Sequence, residues 1–296
     1  MFNYIKGLWK HTDDDSNVEE FKNRPRFTYR SDFAPILGTS IISDVGWGCC
    51  YRCCQGIVAQ YIKLYQAISP ELFQKKFGII ENFLSLFFDT EKSVFSIHSL
   101  VSATKEIGVA PGEWAKPSQV AQAFCKIFDR YSLSYYYLVD SIFEPSKIEN
   151  IEYPIIIMIP LKCGLQTFDK SLAPFIKHVF SLQSIIGMVS GYSGSAYYVV
   201  KINESDEVFY FDPHVVQPAA LSDESHDTFY NQKVMKMSLS QLNPSILMCF
   251  ACFDKESAFK LMENLVTFQD TPIMCSENVS DIVNERVLDI DDLDLS

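Results

Sequence analysis

The chain has 296 residues, of which 48% are hydrophobic, and a formal net charge of -12. Nucleic-acid binding needs clustered Lys and Arg side chains that neutralise phosphates, so an acidic chain without a basic stripe argues against a nucleic-acid partner. No apolar run approaches the roughly 20 residues that span a bilayer, and the run Tyr153 to Leu161 is far too short.

The cysteines and the two ends of the chain set the expected compartment and domain plan. The first residues lack the apolar core and small-residue cleavage site of a signal peptide, so we expect reduced thiols and a cytoplasmic location. Residues 1–25 are polar with little periodicity, which predicts a flexible arm, and residues 26–268 are predicted to form one domain. Residues 269–296 are acidic and lack aromatic side chains, which predicts a disordered tail.

The stretch 43–55 predicts a turn that delivers a cysteine into the first turn of a buried helix. Gly46 and Gly48 allow tight backbone geometry just before Cys49, and apolar residues then recur at helical spacing to about Ala67. A helix start has unpaired N–H groups and the positive end of the helix dipole, and both favour a thiolate. Cys49 is therefore the candidate nucleophile.

Apolar spacing and turn residues predict the remaining elements. The predicted helices are 72–88 (one helix or two), 96–107, 118–131 with Ser118 as N-cap, 168–180 and 257–266. The predicted strands are 133–139, 153–159, 196–202, 207–211 and 248–253, with 190–195 as a loop. The order of helices followed mostly by strands predicts an α+β fold, with helices packed on a mainly antiparallel sheet.

The segment after the predicted hairpin 196–211 contains a second group of candidate site residues. Pro213 ends the strand, and residues two apart on an extended backbone point the same way, so Asp212 and His214 are expected to share a face. A carboxylate bonded to one imidazole nitrogen leaves the other free to accept a proton from a thiol. An Asp that caps a backbone N–H beside an exposed His gives the same motif, so the pair indicates a thiol protease only together with Cys49.

Taken together, these motifs resemble the autophagin family, the autophagy-related cysteine proteases that act on a ubiquitin-like modifier. The resemblance covers most of the chain and implies a papain-like protease core. The segments that carry it are Phe27-Thr28-Tyr29-Arg30, Gly46-Trp47-Gly48-Cys49, Tyr51-Arg52-Cys53 with Gln55, Gly112-Glu113-Trp114, Ile159-Pro160-Leu161, Asp212-Pro213-His214 with Gln217-Pro218, and Leu242-Asn243-Pro244-Ser245.

The resemblance implies the following chemical roles. Cys49 would be the nucleophile, His214 the base and Asp212 the residue that orients the imidazole. The Tyr29 side chain and the Cys49 backbone N–H would stabilise the oxyanion, as preorganised donors do. No cofactor or metal is implied.

The resemblance also implies the substrate and the cleft that receives it. Family members cleave the modifier precursor after a glycine near its C-terminus and release the modifier from phosphatidylethanolamine. Trp114 would cover a narrow cleft, and Gly191 and Tyr192 would belong to a loop near it. A cleft fitted to glycine rejects bulkier residues by steric clash. The partner would be the modifier, with transient membrane contact through the lipid-linked substrate, and the protease is expected to be a monomer.

Modifier docking by the tail is less well matched. The family's acidic tail often carries an aromatic-x-x-aliphatic motif, whereas this tail has Val287-Leu288-Asp289-Ile290 without an aromatic residue. The same pattern occurs at the other end, in Phe2-Asn3-Tyr4-Ile5. Phe2 and Ile5 are therefore candidate partner-docking residues.

Two other functions stay open at this point. Cys50-x-x-Cys53 and Cys249-x-x-Cys252 together would suit a structural zinc ion in an interaction domain, although Cys249 and Cys252 lie in a strand-like run. The other alternative is a catalytically inactive protein that only binds the modifier.

Overall fold

A computed structural model describes residues 19–230 and 233–277. The α-helices in this part of the chain are α1 (Glu19–Lys22), α2 (Cys49–Ile68), α3 (Pro70–Phe77), α4 (Ile97–Lys105), α5 (Pro117–Arg130), α6 (Pro145–Glu149), α7 (Ala173–Ser181) and α8 (Lys255–Val266), and short 3-10 helices cover Phe83–Phe87, Lys170–Leu172, Asp223–Phe229 and Leu239–Gln241. The strands are β1 (Tyr29–Ser31), β2 (Tyr135–Tyr137), β3 (Ile142–Phe143), β4 (Ile155–Lys162), β5 (Ile185–Tyr192), β6 (Ser195–Ile202), β7 (Glu207–Phe211), β8 (Val216–Pro218), β9 (Met235–Ser238), β10 (Ser245–Cys252) and β11 (Met274–Cys275).

Seven of the strands form one sheet in the order β2-β4-β10-β5-β6-β7-β9. Only the β2–β4 pair of this sheet is parallel, and the other pairs are antiparallel. The predicted α+β class with a mainly antiparallel sheet is therefore confirmed. Two short parallel pairs, β1 with β8 and β3 with β11, lie outside this sheet.

Both faces of the central sheet are buried. In β4, Ile156 and Met158 belong to the core shared with α2 and α5, whereas Ile155, Ile157 and Ile159 belong to the core shared with α7 and α8. Side chains alternate across a strand, so a continuous β-branched run buries both faces at once. The sequence prediction of a doubly buried strand here is confirmed.

Helix α2 is the central helix of the fold and begins at the predicted residue, Cys49. It is buried along most of its length and packs on β5 and β6. Gly56 permits this approach, because a Cβ there would lie 3.0 Å from the Tyr198 ring. The helix thus carries its first residue against the sheet that also leads to His214.

Two predicted details are wrong. The loop expected at 190–195 is instead the end of the unpredicted strand β5, the start of β6 and a turn at Ser193 and Gly194 with positive φ. Gly187 and Gly191 interrupt the strand pattern of β5, and pairing with two neighbouring strands stabilises it nevertheless. Helix α5 has Lys116 as its N-cap residue rather than Ser118, because Pro117 takes the first helical position, which suits proline.

The proposed domain limits at 25 and 269 also differ from the packing. Phe21 is 3% exposed and its ring lies 6.5 Å from that of Phe211, so the last residues of the predicted arm belong to the core. Ile273 is 2% exposed and is followed by β11, so the first residues of the predicted tail pack against the domain. The rest of the predicted arm and tail, residues 1–18 and 278–296, lies outside the described residues. None of the helices within 19–230 and 233–277 has the length and apolar character needed to cross a membrane.

Candidate active site

Cys49 lies at the start of α2 with its thiol almost closed off from solvent. The residue is 2% exposed, and the indole Nε1–H of Trp114 donates to its Sγ at 3.2 Å. Burial alone raises the pKa of this thiol, but hydrogen bonds from the His214 ring, the Ala196 backbone N–H and Trp114 outweigh burial and lower the pKa. The predicted nucleophile thus has the environment of a reactive cysteine.

A turn centred on Asp44 sets the start of the helix. The backbone carbonyl of Asp44 accepts hydrogen bonds from the N–H groups of Trp47 (3.2 Å) and Gly48 (2.8 Å). Gly48 is needed here, because a Cβ on it would lie 2.4 Å from the Asp44 carboxylate. The turn explains why the chain enters α2 at Cys49 and not a residue later.

Asp212 and His214 are joined by a turn between β7 and β8. One carboxylate oxygen of Asp212 accepts both the backbone N–H (3.0 Å) and the ring Nδ1–H (2.5 Å) of His214. The prediction that they meet holds, but the reason differs, since residues 213 and 214 form a turn and not an extended strand. Hydrogen bonds that the His214 ring donates to Asp212 and then to Cys49 raise the pKa of His214 to about 9. The ring and backbone N–H groups of His214 in turn lower the pKa of Asp212 against the effect of burial.

Tyr29 reaches the same place from β1. Its backbone N–H donates to the Pro213 carbonyl at 2.8 Å, and its ring contacts the His214 ring at right angles with centroids 5.2 Å apart. Burial and the neighbouring Cys49 thiolate raise the pKa of the Tyr29 hydroxyl well above its ordinary value, so this group stays a hydrogen-bond donor beside the sulfur. The structure therefore brings together Tyr29, Cys49, Trp114, Asp212 and His214.

Comparison with known proteins identifies the family. A model of the peptidase C54 catalytic domain matches residues 14–264. The chain belongs to the peptidase C54 family. It is accordingly an autophagy-related cysteine peptidase with a papain-like core, which here is α2 packed on the seven-stranded sheet.

Several relatives of this C54 peptidase carry the name cysteine protease ATG4. The chain is 28% identical over 283 residues to ATG4B of Xenopus laevis, covering 83% of this chain and 73% of that protein. It is 27% identical over 293 residues to ATG4B of Gallus gallus (83% and 74%) and 29% identical over 276 residues to ATG4a of Arabidopsis thaliana (80% and 58%). A solved structure, UfSP from C. elegans, covers 81% of the chain and 36% of its own at 10% identity, with a TM-score of only 0.34.

Two contacts of the C54 peptidase site were missed by sequence reasoning. The first is the hydrogen bond from the Ala196 backbone N–H to the Cys49 thiol. The second is the contact of the Tyr197 ring with the His214 ring, whose centroids are 5.6 Å apart; the Tyr210 ring packs against Tyr197 with centroids 4.5 Å apart. A backbone N–H has no residue signature. The tyrosines occur in strands where aromatic side chains are common, so only the tertiary pairing identifies them.

The predicted cleft residues of the C54 peptidase lie next to the site but differ in solvent exposure. Gly191 is buried in β5, where it pairs with Ala196, and a Cβ on it would lie 1.7 Å from the Ser195 carbonyl oxygen. Tyr192 is 50% exposed and pairs with Ser195 at the end of the hairpin. Trp114 is 44% exposed above Cys49, whereas Phe2 and Ile5 lie outside the described residues.

The remaining cysteines do not form a zinc site. Cys50, Cys53, Cys249 and Cys252 are at most 2% exposed, and burial raises the pKa of the Cys53, Cys249 and Cys252 thiols, whereas zinc binds thiolates. Across residues 19–230 and 233–277, no three His, Cys, Asp or Glu side chains converge in a way that would hold a metal ion. The zinc-stabilised interaction domain is therefore not supported by the geometry.

Proposed function

We propose that the chain is a cysteine endopeptidase that cleaves after the C-terminal glycine of a ubiquitin-like autophagy modifier precursor and releases the modifier from phosphatidylethanolamine. The observation that carries this proposal is the contact between the Cys49 thiol, the His214 imidazole and the Asp212 carboxylate, with the thiol pKa lowered and the imidazole pKa raised. The names of the relatives support the link to autophagy.

The opposed pKa shifts favour a thiolate–imidazolium pair before substrate binds. The Cys49 thiolate attacks the carbonyl carbon of the glycine, and the carbonyl electron pair moves to its oxygen. The His214 imidazolium then donates its proton to the leaving amine as the C–N bond breaks, which leaves a thioester on Cys49. Neutral His214 takes a proton from water, the hydroxide adds to the thioester, and the thiolate leaves. The glycine carboxylic acid that is released loses its proton to solvent, and the thiolate–imidazolium pair is restored. Asp212 holds the ring by Nδ1 throughout.

The same steps apply to both proposed substrates, because each scissile bond is an amide of a glycine carboxyl group. In a precursor the leaving amine is the next residue of the chain, and in the lipid-linked form it is the phosphatidylethanolamine nitrogen. The protease would touch a membrane only through that lipid. We propose a cytoplasmic monomer that needs no cofactor for these steps.

Tyr29 and the Cys49 backbone N–H are the proposed donors to the oxyanion. The Cys49 N–H is at the start of α2, where backbone N–H groups have no partner within the helix. The raised pKa of Tyr29 keeps its proton available as charge develops on the substrate oxygen. Removing one such donor typically costs about 3 kcal/mol of transition-state stabilisation.

Trp114 is the proposed source of selectivity for glycine. Its indole N–H bonds to the Cys49 sulfur, so a substrate must pass the ring to bring a carbonyl to the thiolate. A glycine on the acyl side needs the least displacement of the ring, since it has no Cβ. Tyr192, half exposed at the hairpin tip, and the buried Gly191 are proposed to form the neighbouring wall.

The decisive experiment compares cleavage of a modifier precursor that is extended beyond its glycine. Wild type is expected to cut at the glycine, whereas Cys49→Ala and His214→Ala are expected to lose activity by about 10⁴-fold or more. Mass spectrometry of the products identifies the bond. If wild type leaves the precursor intact but binds it, the alternative of an inactive modifier-binding protein replaces this proposal.

Cys50→Ala is the matched control for the nucleophile. Cys50 is fully buried next to Cys49 and shares a hydrogen bond with Cys54, so its loss disturbs packing without removing the reactive sulfur. We expect it to keep most of the wild-type activity. If Cys50→Ala abolishes cleavage and Cys49→Ala does not, the assignment of Cys49 as the nucleophile is wrong.

A further inference from the structure

Four charged side chains form a buried charge cluster below the candidate active site: Arg30, Asp44, Arg52 and Asp89. Each is at most 1% exposed. Arg52 lies between the two carboxylates, with Nε 2.6 Å from Asp44 Oδ2 and Nη1 2.7 Å from Asp89 Oδ1. Burial favours the neutral form of Arg52, but the two carboxylates outweigh it and raise the pKa further, so the pairing stays ionic.

Asp44 is the member that joins the two segments nearest the reactive sulfur. Its Oδ1 accepts the backbone N–H of Arg30 at 2.6 Å, and Arg30 directly follows Tyr29 in β1. Its Oδ2 is packed against Gly48, the residue before Cys49, and its carbonyl accepts the Gly48 N–H at 2.8 Å. Asp44 thus joins the strand of Tyr29 to the start of α2, by its side chain through Arg30 and Arg52 and by its backbone through Gly48.

The cluster is not expected to raise the free energy of unfolding above that of an apolar core at the same place. Each charge in it has lost its hydration, and buried ion pairs often contribute no more than apolar side chains of the same volume. The pairing is also incomplete, since the second guanidinium nitrogen of Arg52, Nη2, has no hydrogen-bond partner within the described part of the chain. What the charged arrangement provides is directional bonds of fixed length between segments distant in sequence.

We propose that Asp44 is a positioning residue of the reaction, whose carboxylate sets the distance between the Tyr29 hydroxyl and the Cys49 thiolate. This inference rests on the proposed function, because it assigns Asp44 to the same nucleophile and oxyanion donor. Asp44 does not touch the reacting atoms. Its carboxylate acts through Arg30 on Tyr29 and through Arg52, one turn into α2, on Cys49.

Asp44→Asn is the sharpest variant, because it keeps the shape of the side chain. Its amide oxygen can accept from only one of the two donors, so the amide NH₂ faces either the Arg30 N–H or the Arg52 Nε–H, and one bond is lost. For cleavage of the extended modifier precursor, we expect kcat to fall by about 10- to 100-fold with little change in KM.

Asp89→Asn is the matched control. Asp89 binds the same arginine, is equally buried, and accepts the Ala220 N–H at 2.9 Å on its other oxygen, so its amide meets the same conflict between donors. It contacts neither β1 nor the turn before Cys49 in the hydrogen bonds that the structure describes. We expect a similar drop in melting temperature but a kcat within about twofold of wild type. Equal loss of kcat in both variants, at equal stability, would overturn the proposal.

A readout without substrate separates this inference from the proposed function. The rate of Cys49 alkylation by iodoacetamide, followed on its own peptide by mass spectrometry across pH, reports the thiolate–imidazolium pair directly. We expect Asp44→Asn to slow alkylation near neutral pH and Asp89→Asn to leave it unchanged. If wild type alkylates rapidly but cuts no precursor, the substrate is wrong and the positioning role is still supported. If wild-type Cys49 reacts no faster than an ordinary thiol, both proposals fail.

Ser43→Ala decides the matter if Asp44→Asn does not fold. The Ser43 hydroxyl donates to the Arg30 carbonyl at 3.0 Å, which is a further side-chain bond between this turn and the strand of Tyr29. Ser43 is partly exposed, so its loss spares the core. The hydroxyl also accepts the Val45 N–H at 3.3 Å. We therefore expect the melting temperature to fall by only a few degrees and kcat to fall about fivefold. Wild-type kcat in Ser43→Ala would contradict the proposal.

Discussion

The chemistry of single residues in this protein depends on their neighbours. Nine cysteines share one chain, yet Cys49 is the one whose thiol receives hydrogen bonds from an imidazole, an indole and a backbone amide. Its neighbours Cys53 and Cys54 are equally buried, and burial raises the pKa of each. A difference of one helical turn therefore separates the proposed nucleophile, Cys49, from buried core cysteines.

The pH dependence of the reaction follows from the two opposed shifts. The thiolate–imidazolium pair exists between the lowered pKa of Cys49 and the raised pKa of His214, about 9. We expect kcat/KM for precursor cleavage to rise with pH as Cys49 ionises below its ordinary value of 9.0, and to fall near pH 9 as His214 loses its proton. Initial rates over about six pH units test this.

The Asp212→Asn variant supplies the control for the alkaline limb. The hydrogen bond that His214 donates to Asp212 is the largest cause of the raised His214 pKa, so its loss should move the falling limb to lower pH and reduce kcat. A wild-type profile that falls near 6.5, the ordinary imidazole value, would show that the pair does not form.

At the scale of elements, the hairpin of β5 and β6 supports the site from behind. Ala196, which bonds to the Cys49 sulfur, is held in register by its pairing with Gly191. We expect Gly191→Ala to open this pairing, because its Cβ would lie 1.7 Å from the Ser195 oxygen, at a cost of about 1–3 kcal/mol of unfolding free energy. Cys49 alkylation should slow as well. Urea denaturation and peptide-resolved alkylation measure the two effects.

Gly194→Ala is the control for that hairpin. Gly194 has φ +84° but no atom within 4 Å of its would-be Cβ, so the variant adds backbone strain of about 1 kcal/mol without displacing β6. Cys49 alkylation should stay at the wild-type rate. If both glycine variants slow alkylation equally, hairpin stability rather than the register at Ala196 controls the thiol.

The same hairpin region marks the limit of prediction from sequence. Strands β6 and β7 and helix α2 follow local rules, and their predicted bounds lie within a few residues of those observed. Strand β5 was missed because Gly187 and Gly191 weaken its pattern. Both glycines are required by tertiary contacts that the local sequence does not show. A Cβ at Gly187, for example, would lie 2.2 Å from the Tyr198 ring. Cys49 and the Asp212–His214 pair were predictable for the opposite reason, since each has its turn residues beside it in the chain.

At the scale of the whole molecule, both ends of the described chain are packed further than composition indicates. Ile273 lies in the core shared by α7 and α8, within the region predicted to be a tail. We expect Ile273→Ala to lower the unfolding free energy by about 2–5 kcal/mol, as for other buried aliphatic truncations. Met274→Ala, at a residue 60% exposed, should change it by under about 0.5 kcal/mol. If Ile273→Ala and Met274→Ala have equal urea midpoints, residues 269–277 do not contribute to the core and belong to the predicted tail.

The order of strands in the main sheet bears on how copies of the protein meet one another. Its two outermost members, β2 and β9, have three and four residues, and β9 includes Lys236, whose ammonium lies over the Phe209 ring. Short edge strands, one of them with a lysine, present few unpaired backbone N–H and C=O groups with which a second sheet could pair. We therefore expect concentrated solutions of this aromatic-rich chain to resist edge-to-edge aggregation.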